Sequence, residues 1–224
     1  LSAPPPPPPL PSASRLRPLL TKLRHAAEIV RDMRGNPTPP PLISEDELRE
    51  RLSTGSVTVL DIGFGVEGHV LRLLDAVTPE THGKLNIVAL GLSPTVMSEL
   101  KTRFPRRRGL LESLALHGSA KFPGGRITVS WGDPRLQLGR MRGRAHLVIL
   151  EPAGVEQHVQ LYTIDFLRRL ARFLAPNGVI LSPATAKAFR RALQRIDQHI
   201  GACYPERIGR GGTRASRHDS MIAH

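Results

Sequence analysis

Five short apolar runs recur along the chain, VTVLDI, LNIVAL, RITVSW, AHLVIL and GVILSP, and the segments between them carry helical patterning. This alternation is the strongest constraint on the fold. Runs of this length, rich in Val, Ile and Leu, read as strands buried on both faces, and strands alternating with helices predict a parallel sheet covered on each side. The expected fold class is therefore α/β, with helices on both faces of the sheet. No internal repeat is visible.

The helical segments carry their own punctuation. Ser44-Glu45-Asp46-Glu47 predicts a capping box, with the serine hydroxyl taking an orphan N–H and Glu47 reaching back. Val70, Leu73, Leu74 and Val77 form one apolar stripe, and Leu167, Leu170, Ala171 and Leu174 form another. Ser93-Pro94 predicts a helix start, PRLQLGRM a short helix, and Asn177-Gly178 a helix stop. Two regions follow: residues 1–43 as a Pro-rich tail, basic amphipathic helix and linker, and residues 44–224 as the folded domain. The tail holds six consecutive prolines, which favour polyproline II. Leu16, Leu19, Leu20, Leu23, Ala27 and Val30 then recur at helical spacing, suited to docking on the domain or to gripping RNA or a partner.

The formal net charge is +13. Such an excess favours a polyanionic partner, since Lys and Arg release counterions on meeting phosphates. Arginines gather at Arg106, Arg107 and Arg108, at Arg140, Arg142 and Arg144, at Arg168, Arg169 and Arg172, at Arg190 and Arg191, and at Arg207, Arg210, Arg214 and Arg217. Of these, Arg106, Arg107, Arg108, Arg190, Arg191, Arg207, Arg210 and Arg214 are the expected RNA contacts. Trp131, Tyr162 and Tyr204 are the candidates for stacking on bases. Cys203 is the sole cysteine, which excludes an internal disulfide, and the histidines show no metal-ligand spacing, so no metal is expected. No apolar run approaches the about 20 residues of a membrane span. The chain opens at Leu1 rather than Met, pointing to a processed or truncated N-terminus, and no acid precedes Glu28. That start suits organelle import as well as an RNA-binding arm. The expected compartments are the cytoplasm or a mitochondrial or other organellar matrix, not secretion.

After the first apolar run comes DIGFGVEG, with Gly63, Gly65 and Gly68 spaced as G-x-G-x-x-G. Between a strand and a helix, such glycines let backbone approach a nucleotide-like ligand at a helix N-terminus. A tight turn without a ligand satisfies the same spacing, and a dinucleotide dehydrogenase is one reading of it. Glu67 either faces solvent from the first helical turn, where it complements the helix dipole, or enters the cleft and repels an anionic group.

Asp61, just before the first glycine, shifts the comparison, because Asp-x-Gly-x-Gly resembles the loop of S-adenosylmethionine (SAM) methyltransferases. With it go WGDPRLQL, AHLVILEPAG, LYTIDFLRRLARFLAPNGVI, SPATAKAFRRAL and IGRGGTRAS. Together these resemble the MnmC/MnmD-like tRNA 5-aminomethyl-2-thiouridine methyltransferases over about residues 55 to 217. The resemblance implies a Rossmann-like methyltransferase sheet, SAM as methyl donor, and a tRNA wobble uridine as substrate class. It implies Asp61, Gly63, Gly65 and Gly68 as cofactor-binding residues, Asp133 at the adenine amino group, and Glu151 at the catalytic acid. Three places depart from the family: Val66-Glu67 follow the loop, Gly91 stands where an acid binds ribose, and Glu151-Pro152-Ala153 replaces an Asp-led motif ending in an aromatic. Glu151 could orient or deprotonate an amine, or pair structurally with an arginine. Two functions stay open. One is a SAM-dependent RNA methyltransferase. The other is an inactive relative that has lost SAM and serves as an RNA-binding or scaffolding subunit of a ribonucleoprotein, such as an organellar ribosome.

Overall fold

The computed structural model describes residues 43–65, 68–78, 81, 83–91, 93–150, 158–182, 187–197, 203–208 and 212–217. The tail, basic helix and linker expected within residues 1–42 lie outside these. So do Val66, Glu67, Glu151, Pro152, Ala153 and Arg210.

The eight strands are β1 (Val57–Ile62), β2 (Leu85–Gly91), β3 (Ser119–Phe122), β4 (Gly125–Trp131), β5 (Ala145–Leu150), β6 (Leu174–Ser182), β7 (Cys203–Ile208) and β8 (Gly212–Arg217). They form one sheet in the order β3-β4-β2-β1-β5-β6-β8-β7. β4, β2, β1, β5 and β6 are mutually parallel, while β3, and β8 against β6, run antiparallel. The chain lays β2 and β4 to one side of β1 and then β5 and β6 to the other, so the order reverses beside the central strand. The fold is thus the α/β arrangement expected from the alternation, a largely parallel sheet, and its strand order is the Rossmann-like one that the resemblance implies.

The helices are α1 (Glu45–Thr54), α2 (His69–Arg72), α3 (Val96–Arg103), α4 (Arg108–His117), α5 (Pro134–Leu138), α6 (Ile164–Ala171) and α7 (Lys187–Asp197). They cover both faces. Val59, Leu147 and Ile149 pack with Leu48 and Leu52 of α1, Val70 and Leu71 of α2, and Leu111 and Leu114 of α4. Their neighbours along the same strands, Leu60, Val148 and Leu150, pack instead with Phe166, Leu167 and Leu170 of α6 and Phe189 and Leu193 of α7. This is the period-2 exchange of faces that a doubly covered strand requires.

Several boundaries differ from expectation. The apolar stripe after the glycine loop makes only one α-helical turn before tightening into a 3-10 turn, Leu73–Ala76. Helix α6 ends at Ala171, and Leu174 belongs to β6. Asn177 has a left-handed φ of 56°, but inside a bulge rather than at a helix end. There β6 advances from Leu174 to Val179 while β5 advances only from Ala145 to Leu147. The β3–β4 hairpin and the C-terminal β7–β8 hairpin were not foreseen. Of their strands only β4 carries an apolar run; β3, β7 and β8 are short and largely polar, and pairing to an existing edge, rather than hydrophobic patterning, stabilises them.

The capping box forms by half. Ser44 Oγ accepts the Glu47 N–H at 3.1 Å. The Glu47 carboxylate, however, accepts both Arg214 Nη atoms of β8, at 2.8 and 2.7 Å, and Arg51 Nη2 at 3.1 Å. A two-pronged Arg–carboxylate pair outcompetes the weak return bond of a capping box. It ties the first helix to the last strand. The Arg214 bond, foremost among the causes, holds the Glu47 carboxyl below its usual range. A depressed folded value means that the bond stabilises above the ordinary glutamate range, about pH 4.3, and is lost as pH falls through the lowered value. Glu47→Gln is therefore expected to cost about 1 kcal/mol at neutral pH, discounted for partial exposure. The variant's loss should shrink towards zero at the acid end; thermal melts from neutral to acid pH check both.

Candidate cofactor cleft

The carboxyl ends of β1, β2 and β4 converge on one edge of the sheet. Ile62 pairs with Leu90, and Gly91 pairs with Trp131. As the chain leaves β1, the Gly63 N–H donates to Leu90 O at 2.9 Å. As it leaves β4, the Gly132 N–H donates to Gly91 O at 2.9 Å. Three loops are thereby held side by side where an α/β sheet places its ligands.

Asp61 is buried, 5% exposed, next to last in the central strand. Gly63 has φ 100°, which turns the chain out of the strand. Gly68 has φ 62° and precedes α2; its N–H donates to Gly65 O at 3.1 Å. A side chain at Gly68 has no room, since its Cβ would fall 2.4 Å from the Phe104 ring. Asp61, Gly63, Gly65 and Gly68 thus come together in the strand–loop–helix geometry expected of them.

The opposite wall differs. A Cβ on Gly91 would fall 2.2 Å from the Trp131 ring, so the indole lies directly on the glycine. Phe64, buried within the glycine loop, supports it with ring centroids 6.1 Å apart and planes tilted by 59°. Gly91 is small because an aromatic ring from the neighbouring strand needs its space. Trp131 is half-buried and keeps the stacking role open, whereas Tyr162, a second stacking candidate, is fully buried edge-on against Phe189, 5.8 Å between centroids.

Asp133 is the N-cap of α5. Its Oδ1 accepts the Arg135 backbone N–H at 2.9 Å and Arg135 Nε at 3.0 Å, and its Oδ2 accepts Nε and Nη2 at 2.9 and 2.5 Å. The Arg135 hydrogen bonds hold its carboxyl below the usual aspartate range. His158 stands close enough for each charge to act on the other, and burial pushes that imidazole down. Asp133 therefore reaches the cleft edge already bound to its own helix. Arg135, two residues on and across a proline, was the sequence signal for this.

Where β5 ends, the Ser182 hydroxyl of β6 donates to Leu150 O at 2.9 Å, fixing the strand end just before Glu151. The arginine clusters separate on folding. Arg106 and Arg108 are exposed, and Arg107 pairs with Asp75 beyond α2. Arg191 is exposed on α7, Arg190 lies on the same helix, and Arg207 sits in β7 opposite Thr213. Arg214 is taken up by Glu47, and Arg144 donates to Arg172 O and Leu174 O behind α6.

No protein-family model matches the chain, and no curated protein matches it in sequence. Solved structures do match in fold. MnmC2 from Aquifex aeolicus superposes with a TM-score of 0.54 at 18% identity, over 77% of this chain and 56% of that one. This chain thus spans little more than half of that protein. An O-methyltransferase from Bacillus cereus, in complex with SAH, aligns over 94% of this chain and 93% of that one at 14% identity, TM-score 0.49. At these identities the likeness concerns the methyltransferase fold.

The Gly91–Trp131 contact is open to a direct test. Gly91→Ala should destabilise by about 1–3 kcal/mol through overpacking. The same change should cost much less in a Trp131→Ala background, because the colliding ring is gone. Denaturant unfolding of the four proteins measures this coupling, and additive effects would contradict the packing.

Proposed function

We propose that the chain is a SAM-dependent RNA methyltransferase, of the class that modifies the side chain of a tRNA wobble uridine. The observation carrying this reading is the buried Asp61 at the end of the central strand, beside a left-handed glycine turn that opens a helix. A buried carboxylate suits the amino group of the cofactor's methionine end, and the bare backbone at Gly63 and Gly65 suits close approach. On the nucleoside side the fit changes character. Gly91 offers no carboxylate to ribose, and Trp131 offers a flat apolar wall instead. Losing a charge-assisted bond of that kind weakens binding by roughly one to two orders of magnitude.

When bound, the cofactor supplies a methyl group already activated by its sulfonium. The chain's part is to align an amine with that methyl and exclude water. Glu151, one residue beyond β5, is the group assigned to orient the amine and accept its proton. The net charge of +13 supports an RNA substrate. Phosphate contacts of this sort give affinity rather than base choice.

The Trp131 ring on Gly91 and the Asp133–Arg135 fork favour a second reading. In it, the nucleoside seat has been given over to packing, and the domain serves as an RNA-binding or scaffolding subunit of a ribonucleoprotein, as in an organellar ribosome. Calorimetry separates the two. The enzyme reading expects SAM to bind with micromolar affinity or better, and Gly65→Arg to abolish the heat. Silence at millimolar SAM would sink it. The second reading expects salt-sensitive RNA binding that survives Gly65→Arg.

A further inference from the structure

A cavity of about 520 Å3 opens on the α2 side of the cleft, lined by Leu71, Asp75, Arg103, Phe104, Arg106 and Arg107 among others. The cleft residues described above do not line it, apart from one shared element. Phe104 forms part of its wall and also packs against Gly68 of the glycine loop. The cavity is therefore coupled to the loop through a single ring.

Its charges are lopsided, three arginines against one aspartate. The aspartate is engaged: Arg107 Nη2 donates to Asp75 Oδ1. That bond holds the Arg107 guanidinium at the cavity wall. Arg103 lies 6.0 Å from the centroid of the Phe104 ring. Arg106 is exposed and makes no ion pair among the described residues. Just beyond, Arg108 is 72% exposed and makes a solvent-exposed ion pair with Glu112 at 3.3 Å, which water screens, so guanidinium groups continue out of the cavity along the surface. Leu71 and Phe104 supply an apolar wall alongside.

We propose that this cavity seats a phosphodiester of an RNA strand, with the next phosphates following Arg106 and Arg108 outward. Guanidinium groups gathered at one cavity suit a phosphate, and the apolar wall suits the adjoining sugar and base. The continuation of charge beyond the cavity favours a strand over a single phosphate. The proposal rests on the RNA reading of the substrate and locates where that strand enters, next to the glycine loop.

Fluorescence anisotropy with a labelled tRNA anticodon stem-loop, titrated at several salt concentrations, tests it. Arg106→Ala and the Arg103→Ala/Arg106→Ala double variant are expected to weaken binding by about tenfold or more. They should also flatten the salt slope by about 0.7–0.9 per phosphate contact removed. Arg142→Ala, exposed elsewhere, serves as the control for net charge. An equal loss in that control would overturn the cavity assignment. So would RNA binding that ignores the cavity variants. Adenosine 5′-monophosphate binding as tightly as the stem-loop would reassign the cavity to free nucleotides and likewise overturn the proposal. No RNA binding by the unsubstituted chain would end the RNA reading itself and this proposal with it. Circular dichroism of each variant confirms that folding is unchanged.

Discussion

A parallel strand can reach its neighbour only by crossing over the sheet, and five strands here run parallel. Each crossover carries a loop from the carboxyl end of one strand into a covering helix. The loops after β1, β2 and β4 must therefore share one edge, and they are stitched there by Gly63 N–H to Leu90 O and Gly132 N–H to Gly91 O. The cleft depends on this constraint. It sets Asp61, Gly91 and Trp131 within one small region although they are far apart in sequence.

Within that region two demands compete for the same volume. A ribose-binding acid needs a side chain at the end of β2, and the indole at the end of β4 needs that side chain gone. The ring is held by Phe64 of the glycine loop, so the loop and the wall opposite support each other. The glycine-loop side of the cleft has the strand–loop–helix form that its residues predict, and the β2 side is packed around an aromatic contact. The sheet core lies beneath both and does not depend on which residue ends β2.

Charge follows a similar division. In a chain with this excess of arginine, many guanidinium groups are taken up by groups of the chain itself. Arg214 binds Glu47, Arg135 binds Asp133, Arg107 binds Asp75, and Arg144 takes up two backbone carbonyls near the end of α6. Arg106 and Arg191 remain turned to solvent. Clustering in sequence overstates the surface available to a polyanion.

The alternation of strands and helices, the central strand, the glycine turn and the serine cap at Ser44 were all readable from the chain alone. Each depends on residues within a few positions of one another, so local periodicity and turn chemistry are enough. The tertiary structure decided the rest. The partner of Glu47 lies 167 residues away and displaced the local bond that spacing predicted. The use of Gly91 depended on which residue of β4 stood beside it, and the fate of Tyr162 on whether α7 covered it. These outcomes come from competition for volume and for hydrogen-bond partners between distant segments, and only packing the segments together settles such a competition.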